Sequence, residues 1–425
     1  MRVYVESYGC SQNQGEGAAI ARALSEEGHE IVPEPRDAEA GILVSCGVIA
    51  STEARMVRRW QALAERLPRV LVTGCLVPLR TDLLDGPGRD RTIFVPIREQ
   101  SRIPALLLPA PGEVPAPSGR SPGGLAMVPL AAHPPLTEEV VIAQGCTSGC
   151  SYCYSRLARG PLESVPIPEV VRRVRSAVAR GVHEVRLTSL DTAAWGLDRT
   201  DGARLPDLLR AVAQVPGEFR IRVGMMSPQT LRSILDDHLE VLASDRCYHF
   251  LHLPAQSGSD RVLHSMRRGY TAAEFERQVA EARDRIPDLA LSTDVIVGFP
   301  GETDDDHRAT EALLESVGPE MVNVTRFSAR PGTPAARLPR LPPSVAKGRS
   351  RALTTLRQRI ARARFERWIG RELPARVLEH GAGSSSVARF PNYLPVVLGE
   401  RQALGRTLTV RVDGARATYL LGRPE

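Results

Sequence analysis

The chain has 425 residues, of which 42% are hydrophobic and 24% charged, with a formal net charge of +6. That length exceeds one ordinary core and implies two or three domains of soluble-protein composition. No apolar run reaches membrane-spanning length, and Met1-Arg2-Val3-Tyr4-Val5 reads as strand rather than secretory leader, so a cytoplasmic chain with no membrane partner is expected. Lys347 is the only lysine. The positive balance reflects arginine usage first, and it is compatible with a nucleic-acid partner without demanding one. Seven cysteines in a reducing compartment point to metal or redox chemistry rather than disulfides. Six fall into two sets of three, while Cys247 reads as a core cysteine in a strand.

From the N-terminus, Arg2–Glu6, Gly41–Val44 and Arg69–Val72 read as strands, with helical patterns at Gly15–Glu27 and Glu53–Arg66 between them. This βαβαβ order predicts a parallel sheet whose strand ends form the binding edge. Cys10, Cys46 and Cys75 each fall just past such an end, so thiols distant in sequence can converge on one metal site. Asn13 follows as an Asx turn, a helix cap or a direct neighbour of the chemistry. The Pro- and Gly-rich stretch 107–135 reads as a linker.

A strand at Glu138–Ala143 then leads into Cys146-Thr147-Ser148-Gly149-Cys150-Ser151-Tyr152-Cys153. Thiols spaced CxxxCxxC can hold three irons of a cubane [4Fe-4S] cluster and leave the fourth open to a substrate or second cofactor. A zinc site would need a fourth ligand, and neither His29 nor His183 stands in a zinc spacing. Helical patterns at Pro168–Arg180, Leu205–Val215, Leu231–Ala243, Ala272–Arg285 and Asp304–Val317 alternate with strands at Val182–Leu187, Phe219–Gly224, Tyr248–Leu253, Leu289–Val297 and Met321–Phe327. About six βα units predict a partial (β/α) barrel. Polar clusters at Thr188–Thr192, Pro254–Ser259 and Gly298–Thr303 follow the strands, where barrel sites are built.

Lys347–Trp368 is a long, arginine-studded helical pattern. Leu373–Glu379, Ser386–Phe390, Leu394–Leu398, Thr407–Val412 and Ala417–Leu420 read as five short strands of a small β-barrel of oligonucleotide-binding style. From Arg371 to Glu425 there are eight arginines and five acidic residues. In the cluster Arg389, Phe390, Asn392 and Tyr393, the arginine can meet phosphate, the tyrosine can stack on a base or complete the core, and Phe390 is expected to pack inside.

Several motifs carry a resemblance. The CxxxCxxC loop resembles the radical S-adenosylmethionine (SAM) enzymes. Gly9-Cys10-Ser11-Gln12-Asn13, Ser45-Cys46-Gly47-Val48 with Glu53-Ala54, and Gly74-Cys75-Leu76 resemble the N-terminal domain of the methylthiotransferases. Ala158-Arg159-Gly160, Leu187–Thr192, Arg222–Met226, His252–Ser259, Asp294–Thr303 and Ser328–Thr333 resemble the archaeal and eukaryotic type of tRNA methylthiotransferase, and the last domain resembles TRAM. The likeness covers nearly the whole chain, with one departure at Leu190, where the family commonly carries glutamine.

The resemblance implies an α/β architecture. It comprises an N-terminal open parallel α/β sheet domain (1–106), the linker (107–135) and a central partial (β/α)6 radical SAM barrel (136–340). A connecting helix (341–368) and a small antiparallel β-barrel (369–425) follow. It also implies two [4Fe-4S] clusters, on Cys146, Cys150 and Cys153 and on Cys10, Cys46 and Cys75. The first makes a 5'-deoxyadenosyl radical from SAM; the second holds the sulfur, and a further SAM gives the methyl.

The implied substrate is tRNA bearing N6-threonylcarbamoyladenosine (t6A) at position 37, with a low-potential electron donor and a sulfur donor as partners; a monomer is expected because the sequence carries no coiled-coil repeat or dimer segment. The SAM-site candidates are Tyr152, Arg159, Ser189, Asp191, His252, Gln256 and Asp294. Tyr152 is placed to shield the cluster, pack near the adenine or pack within the loop. Arg159 can meet the SAM carboxylate or a phosphate, form a local ion pair, or lie exposed to solvent. Ser189 and Asp191 stand at the SAM and substrate mouth. His252 and Gln256 face the cavity or support its rim, and Asp294 orients a polar ligand or caps a loop. Other substrates for the same chemistry are N6-isopentenyladenosine in tRNA and a ribosomal-protein aspartate. A non-catalytic iron–sulfur RNA-binding protein would bind tRNA without cleaving SAM.

Overall fold

The computed structural model describes residues 1–48, 50–107 and 136–425. The linker read at 107–135 lies outside the described residues, apart from Leu107.

The first unit is a five-stranded, all-parallel sheet in the order Glu30–Val32, Arg2–Ser7, Ala40–Ser45, Arg69–Gly74, Thr92–Phe94. The two outer strands are only three residues long and are absent from the sequence reading. Strand residues alternate between two cores. Tyr4, Leu43, Val70 and Val72 pack on the helix Ala50–Ala64 through Met56, Trp60 and Leu63. Val3, Val5, Ile42, Val44 and Leu71 pack on Ser11–Glu26 through Ile20, Ala21 and Leu24. These i, i+3, i+4 spacings put one apolar face of each helix against one face of the sheet.

The central unit holds two three-stranded parallel sheets. One has the order Arg220–Val223, Glu184–Thr188, Thr137–Val141; the other is Phe250–His252, Ala290–Val297, Met321–Arg326. A parallel bridge from Ile221 to Cys247 and the bond from Met226 N–H to His252 O (2.9 Å) join them into a six-stranded partial barrel. Its largest core lies outside the strands, where Val185, Leu187, Ile221 and Leu251 meet Val170, Val174, Leu208, Leu209, Phe275 and Val279 of the surrounding helices. Cys247 is fully buried there, as expected. The helix read across Leu231–Ala243 is two helices, Pro228–Leu231 and Leu235–Leu242.

The connecting helix runs Pro343–Glu366, starting four residues before the pattern suggested, because Pro343 sits at a first-turn position that has no amide partner to lose. The last unit is a closed five-stranded barrel, Glu372–His380, Ser386–Arg389, Pro395–Leu398, Leu420–Pro424 and Thr407–Ala415 in spatial order. All its pairs are antiparallel except Pro395–Leu398 with Leu420–Pro424, which is parallel.

The Arg389–Tyr393 cluster does not face outward for RNA. Tyr393 is 9% exposed, at φ +69°, with its ring 5.0 Å from Tyr248 and 4.8 Å from Phe250 of the central barrel. Its hydroxyl donates to Glu184 (3.4 Å), and Pro391 O accepts from His249 N–H (2.9 Å). Arg389 stacks over the Tyr393 ring at 4.7 Å, and Asn392 and Phe390 are buried. Burial of two rings against the barrel outweighs the open surface that base stacking needs. These contacts lie toward the starts of the barrel strands, opposite the ends that carry polar clusters. Tyr393→Ala is expected to cost about 3 kcal/mol of this docking. Faster hydrogen exchange across 372–424, with the barrel strands unchanged, would register it.

Candidate active site between the N-terminal sheet and the barrel

Cys10, Cys46 and Cys75 follow three adjacent strands, and glycines bring their loops together. Gly9 has φ +104°, and a Cβ there would lie 2.8 Å from Cys46 Sγ. Gly74 has φ +95°, and a Cβ would lie 2.2 Å from Ser45 O. Cys75 N–H then bonds Ser45 O at 3.0 Å. Gly74→Ala is expected to cost on the order of 1–3 kcal/mol in backbone strain before any clash is counted. A thermal melt of Gly74→Ala beside the unaltered protein checks the loss.

Cys10 is exposed, whereas Cys46 and Cys75 are buried. Burial pushes the Cys75 thiol up to about 12, against the opposing charge of Arg159 and with the neighbouring Cys10 and Cys46 adding to the rise. A thiol in this setting stays protonated until a metal takes the thiolate. Asn13 is buried and clamps the loop, donating to Tyr8 O (2.6 Å) and Ser45 O (3.0 Å).

Arg159 requires a correction. It does not line the SAM-side cavity; its guanidinium is wholly buried against the N-terminal unit. It pairs with both Glu16 oxygens and donates to Asn13 Oδ1 (2.6 Å) and Gln144 Oε1 (2.7 Å). A carboxylate already in place holds it there, so the local ion pair prevails over a SAM contact. A second buried pair, Arg330 with Glu53, crosses the same boundary, and Arg330 also stacks over Tyr154 at 4.4 Å. Glu16, Glu53, Gln144 and Arg330 were not singled out as site residues. Their partners stand up to 277 positions apart, and no local pattern marks such pairs.

Cys146, Cys150 and Cys153 line one cavity of 390 Å³ at the strand ends, together with Val48 from the Cys46 loop. Tyr152, Asp191, Gln256 and Asp294 also line it, as do Leu190, Met225, Met226, Val295, Ile296 and Phe327. Burial raises Cys146, with Asp191 adding to it, and pushes Cys153 up to about 11. Arg268, absent from the sequence candidates, donates to Cys150 Sγ (3.1 Å), Ser227 Oγ (3.3 Å) and Tyr270 OH (3.1 Å). Asp191 accepts from Ser227 N–H (3.0 Å) and the Thr230 hydroxyl (2.8 Å), and burial raises its pKa.

Ser189 is buried beside the cavity without lining it, and its hydroxyl has no partner among the described residues. His252 also stays off the lining and instead supports Asp294 through Nε2 (3.2 Å). Burial opposes ionisation of Asp294, yet His252 and Asn323 hold its carboxyl below the ordinary range. Gln256 sits at φ +63°. Among the described residues, no three His, Cys, Asp or Glu side chains converge tightly enough for a single metal ion. No helix among them is long and apolar enough to cross a membrane.

Residues 140–314 match the Radical SAM superfamily and residues 2–92 match Uncharacterized protein family UPF0004. The "Probable threonylcarbamoyladenosine tRNA methylthiotransferase" of Methanothermobacter thermautotrophicus is 36% identical over 99% of both chains. A tRNA-2-methylthio-N(6)-dimethylallyladenosine synthase of Chloroflexus aurantiacus is 34% identical over 100% of this chain and 91% of its own. Among solved structures, the radical SAM methyltransferase TsrM from Kitasatospora setae aligns with a TM-score of 0.58 at 15% identity, over 79% of this chain and 76% of its own, a likeness of fold. The chain belongs to the radical SAM superfamily and, within it, to the family of threonylcarbamoyladenosine tRNA methylthiotransferases.

Proposed function

We propose that this protein is a tRNA methylthiotransferase, converting t6A at position 37 to 2-methylthio-N6-threonylcarbamoyladenosine by radical C–H activation, sulfur insertion and methyl transfer. The observation that carries the reading is that the loop of one three-cysteine set reaches the cavity lined by the other, with Cys10, Cys46 and Cys75 themselves lying off its wall. Val48 of the Cys46 loop and Cys146, Cys150 and Cys153 share its wall.

Cys146, Cys150 and Cys153 would hold one [4Fe-4S] cluster and Cys10, Cys46 and Cys75 a second. A cubane is wider than an ion and takes one thiolate per corner iron, so three thiols suit it without meeting at a point. When bound, the clusters supply the electron that cleaves SAM and the site that carries the transferred sulfur. The protein's own share is placement and exclusion of water. Leu190, Met225, Val295, Ile296 and Phe327 give the cavity an apolar wall that spares a carbon radical from side reactions. Arg268 fixes the Cys150 thiol and the Ser227 turn together, while Asp191 anchors that turn from the other side. The Glu53–Arg330 and Glu16–Arg159 pairs hold the sulfur-bearing unit against the cavity.

A monomer in the cytoplasm, served by a low-potential electron donor and a separate sulfur donor, completes the proposal. The domain limits near 106, 135, 340 and 368 divide the same roles. Anaerobic reaction of reconstituted protein with SAM, reductant, sulfide and t6A-bearing tRNA, read by nucleoside mass spectrometry, tests it. A methylthio mass gain supports the assignment. Cleavage of SAM without that gain rejects the substrate, and the dimethylallyladenosine tRNA suggested by the Chloroflexus relative then becomes the next substrate to assay.

A further inference from the structure

Charge is unbalanced around the cavity. Its carboxylates, Asp191 and Asp294, already accept hydrogen bonds from the protein, and Arg268 is bound to three partners. Two other guanidiniums on the wall, Arg156 and Arg326, have no hydrogen bond or ion pair among the described residues. Arg156 stands three residues past Cys153, in the short helix Tyr154–Arg159 that leaves the cysteine loop, which puts it on the side where SAM is held. Arg326 ends the last strand, Met321–Arg326, at the opposite edge of the strand order from the cysteine loop. The chain leaving it, Phe327-Ser328, continues along the wall, and Ser328 Oγ then accepts from Ala50 N–H of the N-terminal unit (3.5 Å). Arg326 thus stands on the rim where the two cysteine-bearing units meet.

We propose that Arg326 is the specificity residue that takes the carboxylate of the amino-acid substituent on N6 of the substrate adenine. The inference rests on the substrate reading above. Adenine C2, where sulfur enters, and the N6 substituent flank N1 on one edge of the base. A base held with C2 between the two cysteine sets therefore projects its N6 group toward the rim. A threonylcarbamoyl group ends in a carboxylate, which a guanidinium binds through paired hydrogen bonds; a dimethylallyl group offers it nothing. Arg326 is exposed, so it remains hydrated without ligand, and selection comes from the bond gained rather than from a penalty for the wrong group.

The test uses reconstituted holoenzyme and anticodon stem-loop RNAs carrying t6A, the t6A methyl ester or N6-dimethylallyladenosine. The unaltered protein should show a KM about tenfold lower for the acid than for the ester, the lower end for a charge-assisted bond. Arg326→Ala should erase that difference and leave kcat and the KM for SAM unchanged; Arg326→Lys should restore part of it. Retention of the acid–ester difference in Arg326→Ala overturns the proposal. A uniform weakening of all three RNAs overturns it in favour of a phosphate contact, and a raised KM for SAM overturns it in favour of the SAM carboxylate. Each of these leaves the substrate reading standing. Failure of the unaltered protein to modify the t6A stem-loop overturns that reading, and this inference with it.

Discussion

A Cys146→Ala chain will fold, yet will release no 5'-deoxyadenosine from SAM and will add no methylthio group to tRNA. Cys146 lines the cavity with Cys150 and Cys153, and its backbone N–H is tied to Gly160 O (3.3 Å), so the loop keeps its path without the thiol. The substitution removes one small buried atom, a cost of about 1 kcal/mol. No other thiol can replace it. Cys247 is locked in the outer core of the barrel, and the remaining three belong to the N-terminal loops. If the N-terminal set holds the second cluster as proposed, iron per chain falls by about half. The reading requires SAM cleavage and tRNA modification to vanish together. Product from the Ala variant at a rate near that of the unaltered protein would mean that this triad is not the SAM-cleaving centre.

Arg159→Met should do the opposite: SAM cleavage survives while methylthio transfer collapses. The substitution leaves Glu16 buried without its cation, a loss of about 3–5 kcal/mol across the boundary between the two units. Asn13, which orders the Cys10 loop, loses its bond at the same time. A second change separates two roles for the arginine. Arg159→Met combined with Glu16→Leu replaces the pair by apolar groups and should regain thermal stability. Transfer stays low in the double variant if the positive charge beside Cys75 and Cys10 serves the sulfur-bearing site itself. Full recovery of transfer would assign Arg159 to docking alone. The electron paramagnetic resonance signal of the N-terminal set, recorded with Cys146→Ala in the same chain to silence the other, reports the difference independently of turnover.

Much of this was legible in the chain, and the legible parts share a cause. The parallel sheet, the six barrel strands and both cysteine sets are written in short windows: apolar runs, helical spacing and thiols at strand ends. Asp304–Val317 and Ala272–Arg285 appear with the limits read from sequence because each opens on a Thr whose side chain caps the first turn. The misses are long-range or competitive. Arg159 stands open in the sequence between a SAM contact and an ion pair, since nothing near it reveals Glu16, 143 positions away, as the carboxylate that claims it. Tyr393 stands open in the sequence between RNA stacking and core packing because an aromatic beside an arginine looks the same whether it meets a base or the rings of Tyr248 and Phe250. His252 and Ser189 lie off the cavity wall, with His252 behind Asp294, a matter of side-chain direction that strand assignment alone does not resolve.

Of the ion pairs that cross from the N-terminal unit to the barrel, the two deeply buried ones constrain how such a protein can be inherited. Glu16 and Glu53 come from one unit, Arg159 and Arg330 from the other, and all four are buried. A recombination event that joined this sheet to a foreign barrel would strand Glu16 in a closed interface unless the incoming barrel carried its arginine, whereas Glu53 would keep Arg80 of its own unit. The two halves are therefore expected to descend as a unit, exchanged together or not at all. The small C-terminal barrel, held largely by aromatic packing around Tyr393, is the more readily replaced part.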